Sequence, residues 1–378
     1  MNENLFMCIY LFFIFIIILV ITILTPKFTR KEIVFGVRVP EDEADSDEIK
    51  HIKTQFIRNN LVVEIPFILL FSFLNYKFLN VGMILFTTFA FVFINFLVYM
   101  ISNRAVKNLK LQKLWLQGKK QVVTIDIDFS KKKSDMLVSV WFFMIPVFII
   151  IINIILGYTH YSSLPYKVPT HWDFSGNITG YQIKSKFLIW EMPLAQIIIT
   201  FISFIVYKGI GWSKQQISSL NPEESVKKNS IFRRSWSIYM VILASATDIL
   251  LSVGTIQIFK VIDVSSAFSN AVIIAFLTIT ILASIILSLK IGQGGSNIKM
   301  GKDSLQRDES ELTNKDDDDS WKLANTIYYN PEDPSIFVEK RFGVGWTVNA
   351  GRPAGMAIYI GIIIFTIVVI GISIFAQS

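Results

Sequence analysis

The sequence predicts an all-α integral membrane bundle of about eight transmembrane helices, with both termini outside and a small cytoplasmic β-containing element. Three observations predict it. Of 378 residues, 52% are hydrophobic and 17% are charged, whereas soluble domains carry about a quarter charged residues. The apolar residues gather in runs at 5–24, 61–79, 81–101, 136–157, 187–207, 236–259, 268–289 and 354–376, and about 20 such residues cross roughly 30 Å of hydrocarbon. Finally, the segments 25–60, 102–135, 208–235 and 290–353 together hold 31 of the 36 Lys and Arg residues, the asymmetry that keeps basic loops on the cytoplasmic side. The formal charge of +7 therefore reads as topology, and nucleic acid is not an expected partner.

The first run follows a start without Lys or Arg and has no small-residue cleavage site, so it reads as a retained helix rather than a signal peptide. The sole cysteine, Cys8, lies inside it and reads as a small apolar filler. Asn80 separates the second and third runs by so little that a tight hairpin is expected, with Lys77 snorkelling to the interface. The segment 104–120 mixes Lys107, Lys110 and Lys113 with Leu109, Leu114 and Trp115. It either lies on an anionic leaflet or continues the third helix inward. Residues 33–39 are rich in β-branched side chains, 121–129 alternate apolar and polar residues, and 341–349 repeat the Phe-Gly-Val of 35–37. These pieces suggest a small shared sheet, with separate juxtamembrane loops as the alternative. Residues 292–320 are polar, end in Asp316 to Asp319, and read as a solvated linker.

By linear division, 1–135 is a three-helix membrane region, 136–290 a second membrane region with an outer loop at 158–186, 291–353 a cytoplasmic linker and domain, and 354–378 the last helix. The outer loop holds the densest cluster of polar and turn-forming residues. Pro165 and Pro169 stiffen it and Gly176-Asn177 supplies a turn. His171 and Asp173 together, with His160 as a third group, are candidates to hold a ligand or a cation, although the spacing is irregular for a metal. A peptide- or lipid-recognition surface, a structural cap and a metal site all remain open for this loop.

Leu164-Pro165, then Pro169, His171 and Asp173, then Gly176 and Lys186 before a membrane span, resemble the SdpI-like bacterial membrane proteins that carry domain of unknown function 1648. Phe35 to Pro40 is similar to longer members of that group. Near the other end stand Tyr329, Asn330, Pro331, Asp333 and Pro334, followed by Arg341, Phe342, Gly343, Gly345, Trp346 and Asn349. These resemble a second domain of unknown function, 5808, often fused to the first. The resemblance implies a multi-pass protein of the bacterial cell membrane. It also implies a role as an immunity factor against an extracellular peptide, with signalling to a cytoplasmic regulatory protein.

Three acids interrupt the apolar runs: Glu64, Glu191 and Asp248. A charge at mid-bilayer costs about 2.5–3.5 kcal/mol on insertion scales, so such a group needs a partner or a task. Glu64 and Glu191 each precede a proline by two residues and are expected near the interfaces, whereas Asp248 lies deeper. No Walker-type phosphate loop, paired-histidine zinc motif or nucleophile elbow is present. The expectation is therefore a non-enzymatic sensor or immunity factor in the lipid bilayer, without metal or cofactor, that binds an extracellular peptide or envelope component. The alternative is a secondary transporter or lipid-handling protein using the intramembrane acids.

Overall fold

A computed structural model describes residues 3–115, 120–122, 136–173, 175–218, 221–300 and 312–375. The chain divides into two compact units. Unit 1 comprises residues 1–126, 213–229 and 288–378, and unit 2 comprises 127–212 and 230–287.

In unit 1, α1 (Glu3–Phe28), α2 (Asp47–Lys77) and α3 (Val81–Gln112) pack in sequence, α1 on α2 and α2 on α3. Ser46 opens α2 by accepting the Ile49 amide, and Asp47 and Glu48 follow in its first turn, where negative charge favours the helix dipole. The buried residues of α2 are Ile49, Ile52, Phe56, Asn60, Glu64, Ile68, Phe71, Ser72 and Asn75, a stripe at helical spacing. That stripe meets Phe15 of α1 and Phe91 of α3. The expected tight hairpin between the second and third runs is present, with Asn80 capping α3 by accepting the Met83 amide at 2.9 Å. In the segment 104–120, α3 continues to Gln112, as one of the two readings has it, and residues 116–119 lie outside the described residues.

The polar segments of unit 1 form short β-pairs: β1 (Ile33–Val34) with β2 (Val37–Arg38), β3 (Lys120–Val122) with β6 (Leu312–Asn314), β7 (Trp321–Lys322) with β8 (Ile327–Tyr328), and β9 (Phe337–Glu339) with β10 (Trp346–Val348). The expected shared sheet does not form: 33–39 and 341–349 each enter a different two-stranded pair. Residues 123–129 of the third piece lie outside the described residues. The two Phe-Gly-Val repeats meet by side-chain packing instead. Phe342 lies against Tyr99 at 4.3 Å between ring centroids, and against Phe35 and Phe56 at 6.3 and 6.4 Å. Closing unit 1, α8 (Pro353–Phe375) follows β10 and is held by Tyr359, whose hydroxyl lies 3.1 Å from Thr347 Oγ1.

In unit 2, α4 (Met144–His160) packs on α5 (Leu188–Trp212), and the loop between them carries the antiparallel pair β4 (Lys167–Trp172) and β5 (Ile178–Ile183). The two long helices α6 (Pro222–Phe259) and α7 (Ser266–Ile291) follow, the start of α6 and the end of α7 counting with unit 1. At 1.5 Å per residue, the 38 residues of α6 exceed a bilayer core, so its polar first turns extend beyond the apolar stretch.

Among the described residues, seven helices (α1 to α7, with short flanking turns) are long and apolar enough to cross a membrane. The eighth expected run is helical, but its described apolar stretch, Pro353–Val368, is shorter than the others.

Candidate functional site

The loop 158–186 folds as a β-hairpin whose polar residues divide into two kinds. Asp173 closes the turn: its Oδ1 and Oδ2 accept from the backbone N–H and the Nδ2 of Asn177, both at 2.8 Å, and its carbonyl accepts from Gly176 N–H at 3.0 Å. These donors hold the Asp173 carboxyl below the usual carboxylate range. Gly176 has φ +90°, and a Cβ there would stand 2.7 Å from Cβ of Ser266, at the start of α7. Glycine is therefore required at this turn.

Val168, on one face of the hairpin, packs with Leu164, Leu188, Ile258 and Phe259. The other face is open. There Tyr181 and Ile183 are 58% and 61% exposed. Lys167 pairs with Ile183 and Pro169 with Tyr181, so these residues stand side by side with exposed His171. Lys186 is exposed at the junction with α5. On the same junction, Lys184 Nζ donates to the carbonyls of Ser162 and Leu164, and Gln182 Nε2 donates to Glu191 Oε1 at 3.2 Å. His160 bonds within its own helix end. Among the described residues, no group of three or more His, Cys, Asp or Glu side chains could hold a metal ion.

The three intramembrane acids have different surroundings. Glu64 is fully buried, not solvated at an interface as expected: Asn95 Nδ2 donates to its Oε2 at 3.1 Å, and Asn95 Oδ1 accepts from Thr22 at 3.1 Å. This relay joins α2, α3 and α1. Glu191 is half-buried and tied to the hairpin by Gln182. Asp248 is fully buried in unit 2, and Thr200 Oγ1 donates to its Oδ2 at 2.9 Å. Gln196, Thr200, Ser252 and Asn153 surround it, none of which the sequence reading singled out. Polar pairs four residues apart inside apolar runs, 196 with 200 and 248 with 252, were the signal that could have found them.

The C-terminal motif is built almost wholly inward. Asn349 Nδ2 reaches the carbonyls of Asn330, Asp333 and Ser335, and its Oδ1 accepts from the amides of Asn330 and Gly351. Asp333 Oδ2 accepts from Lys214 Nζ at 2.7 Å and from the Tyr328 hydroxyl at 2.9 Å. Burial alone would raise the Asp333 carboxyl, but Lys214 and the Ser335 amide outweigh it and lower it. Arg341, 1% exposed, bonds Asp317 and Asp318 and donates to the Gly36 carbonyl. The aspartate run is therefore not the solvated end of a linker; Asp317 also pairs with Arg38, and Asp316 and Asp318 pair with Lys110. Glu339 accepts from Arg30 at 2.8 Å, from Asn229 at 2.9 Å and from Gln293 at 3.4 Å. Gly345 exchanges two hydrogen bonds with the Gln293 amide. Gly343 lies in the bend before β10 and Trp346 opens that strand, whereas Tyr329, Pro331 and Pro334 are exposed.

The turn that receives Arg341 is strained. Phe35 and Gly36 have φ of +46° and +82°, as a two-residue hairpin turn of the primed type requires. Their carbonyls capture Tyr99, Asn103, Asn325 and Arg341, and these donors hold the non-glycine residue in the left-handed region.

Comparison with known proteins gives two family matches. A domain of unknown function, DUF1648, matches residues 148–197, which span α4, the hairpin and the start of α5. A family of unknown function, DUF5808, matches residues 331–356, the inward-built motif and the start of α8. No curated protein and no solved structure matches the chain. The chain is a multi-pass membrane protein that carries DUF1648 followed by DUF5808, the two domains its loop and C-terminal motifs resemble.

Proposed function

We propose that the protein is a non-enzymatic sensor or immunity factor of the bacterial cell membrane, which recognises an extracellular peptide or envelope component on the open face of its hairpin. The observation that supports this reading is the exposure of Tyr181 and Ile183 beside Lys167 and His171. Apolar side chains grouped on a surface and rimmed by charge mark interaction sites. The turn residues Asp173 and Gly176 hold that face in place, while Lys186 offers charge and His171 an imidazole at its edges. Eight spans with both termini outside put the hairpin on the extracellular side, which the distribution of Lys and Arg favours. The inward-built C-terminal motif would then face the cytoplasm, with Tyr329 at its exposed edge available to a regulatory protein.

The test is complementation of a deletion strain challenged with secreted antimicrobial peptides. Wild-type protein should restore survival, and the Tyr181→Ser, Ile183→Ser double variant should not, at equal membrane abundance. Ser163→Cys, in a background with Cys8→Ala, should react with an impermeant thiol reagent in intact cells. Full protection by the double variant would overturn the hairpin as the recognition surface, and absence of labelling would overturn its placement.

A further inference from the structure

A buried polar cluster with unpartnered oxygens lies away from the hairpin, around Asp248, halfway along the apolar stretch 236–259 of α6. Asp248 is 0% exposed and, among the described residues, makes no ion pair; Thr200 Oγ1 bonds one carboxylate oxygen and Oδ1 has no partner there. Two amides in the same cluster are in the same condition. Gln196 Nε2 donates to the Asp248 carbonyl at 2.8 Å and to Ser252 Oγ at 3.3 Å, while its Oε1 has no partner. Asn153 Nδ2 donates to the Ile149 carbonyl at 2.8 Å and to Ser252 Oγ at 2.7 Å, while its Oδ1 has no partner.

The amide orientations are not arbitrary. Each nitrogen faces a backbone carbonyl, which only accepts, so flipping either amide would set oxygen against oxygen. Ser252 in turn donates to the Asp248 carbonyl at 2.7 Å, which commits its proton. Among the described residues, three buried acceptors on three helices, one of them a carboxylate, are therefore left without donors. A buried unpartnered acceptor costs about 1–3 kcal/mol, more when charged. Nothing in the surrounding protein offsets that cost.

A single proton on the Asp248 carboxyl could donate to one amide oxygen and would leave the other without a donor. A cation carries the charge the carboxylate lacks and takes amide oxygens as ligands, and the three side chains are joined through Ser252 and the Asp248 carbonyl. Carboxylate, amide carbonyl and hydroxyl oxygens are hard ligands that suit hard cations. One carboxylate neutralises one positive charge, which favours a monovalent ion over calcium or magnesium. We propose that Asp248, Gln196 and Asn153 form a binding site for one small monovalent cation of the sodium class, within the α4, α5 and α6 helices of unit 2. The cation would supply the missing positive charge at mid-membrane and tie the three helices together. This site is independent of the hairpin reading, and either can stand without the other.

The experiment uses the full-length protein in nanodiscs, with 22Na+ binding and thermal unfolding measured in NaCl against choline chloride at equal ionic strength. Wild-type protein should bind about one displaceable Na+ per chain, and its unfolding temperature should rise with Na+ concentration. Asp248→Asn should weaken binding at least tenfold and abolish the temperature rise. Should that variant fail to insert, Gln196→Met and Asn153→Leu serve in its place, each expected to weaken binding about tenfold. Absence of displaceable 22Na+ in the wild type would overturn the proposal. So would binding by Asp248→Asn equal to wild type, or an unfolding temperature that follows pH but not Na+, which would identify a proton instead.

Discussion

Glu339 and Asp248 are both carboxylates almost wholly shielded from solvent, at 1% and 0% exposure, yet their surroundings are opposite. Glu339 receives a guanidinium from Arg30 and amide donors from Asn229 and Gln293. Among the described residues, Asp248 receives one hydroxyl and no cation. The difference separates a charge that serves the fold from one that does not. Desolvating an ion costs several kcal/mol, and only a well-placed counter-charge with further hydrogen bonds offsets it. At Glu339 the offset is built from residues as distant in sequence as Arg30 and Gln293. At Asp248 it is missing, which points to a partner from outside the chain.

If this contrast is right, removing the two carboxylates should act in opposite directions. The largest effect is expected from Glu339→Ala, which strands the buried Arg30 guanidinium. Removing one member of a buried pair costs about 3–5 kcal/mol, read as faster hydrogen exchange across 337–348 and a lower unfolding temperature. A loss under about 1 kcal/mol would erase the distinction between the two sites.

Acid should probe the same ion-paired region by a different route. Burial alone would raise the Asp317 carboxyl, but Arg341 and Arg38 outweigh it and hold it below its usual value; Asp333 is lowered as well. A carboxyl whose folded value is depressed stabilises the fold above its unfolded value of about 3.9, and that contribution is lost as pH falls through the folded value. The order in this region should therefore stay level from pH 7 to about 5 and fall below about 4. Asp317→Asn should flatten part of that acid response. An acid limb unchanged in this variant would show that the arginines do not depend on Asp317.

The smallest effect is expected at Asp248. In sodium-free buffer, Asp248→Asn should change stability by no more than about 1 kcal/mol, or increase it, because the variant keeps an acceptor for Thr200 and loses an uncompensated charge. A loss above about 2 kcal/mol would place Asp248 with Glu339 as a structural charge.

The hairpin shows how far local sequence reading reaches. Pro165, Pro169 and the Gly176-Asn177 turn were legible as rigid turn chemistry, and Asp173 stood beside them as a candidate ligand. Its carboxylate instead bonds Asn177 four residues away, an Asx-type contact that short-range rules describe well. The exposed face was less legible, because nothing in the order Lys167, Pro169, Tyr181, Ile183 says that these side chains share one side of a two-stranded pair. The register, Lys167 with Ile183 and Pro169 with Tyr181, decides it.

The sequence alone determined where the helices run, since apolar stretches of membrane length and their helical spacing are local properties that lipid and backbone hydrogen bonding enforce. It also determined the turn at Asn80 and the inward continuation of α3 as one of two readings, and it showed the Phe-Gly-Val repeat at 35–37 and 342–344. Only the tertiary structure decided what those features meet. It set Phe342 against Phe35 and Tyr99, Glu339 on Arg30 across 309 positions, and Arg341 on the strained Gly36 turn. It also left Asp248, Gln196 and Asn153 with unpartnered oxygens. The physical reason is range: helix formation is settled within a few residues, whereas the partner of a buried charge depends on which distant segments packing brings beside it.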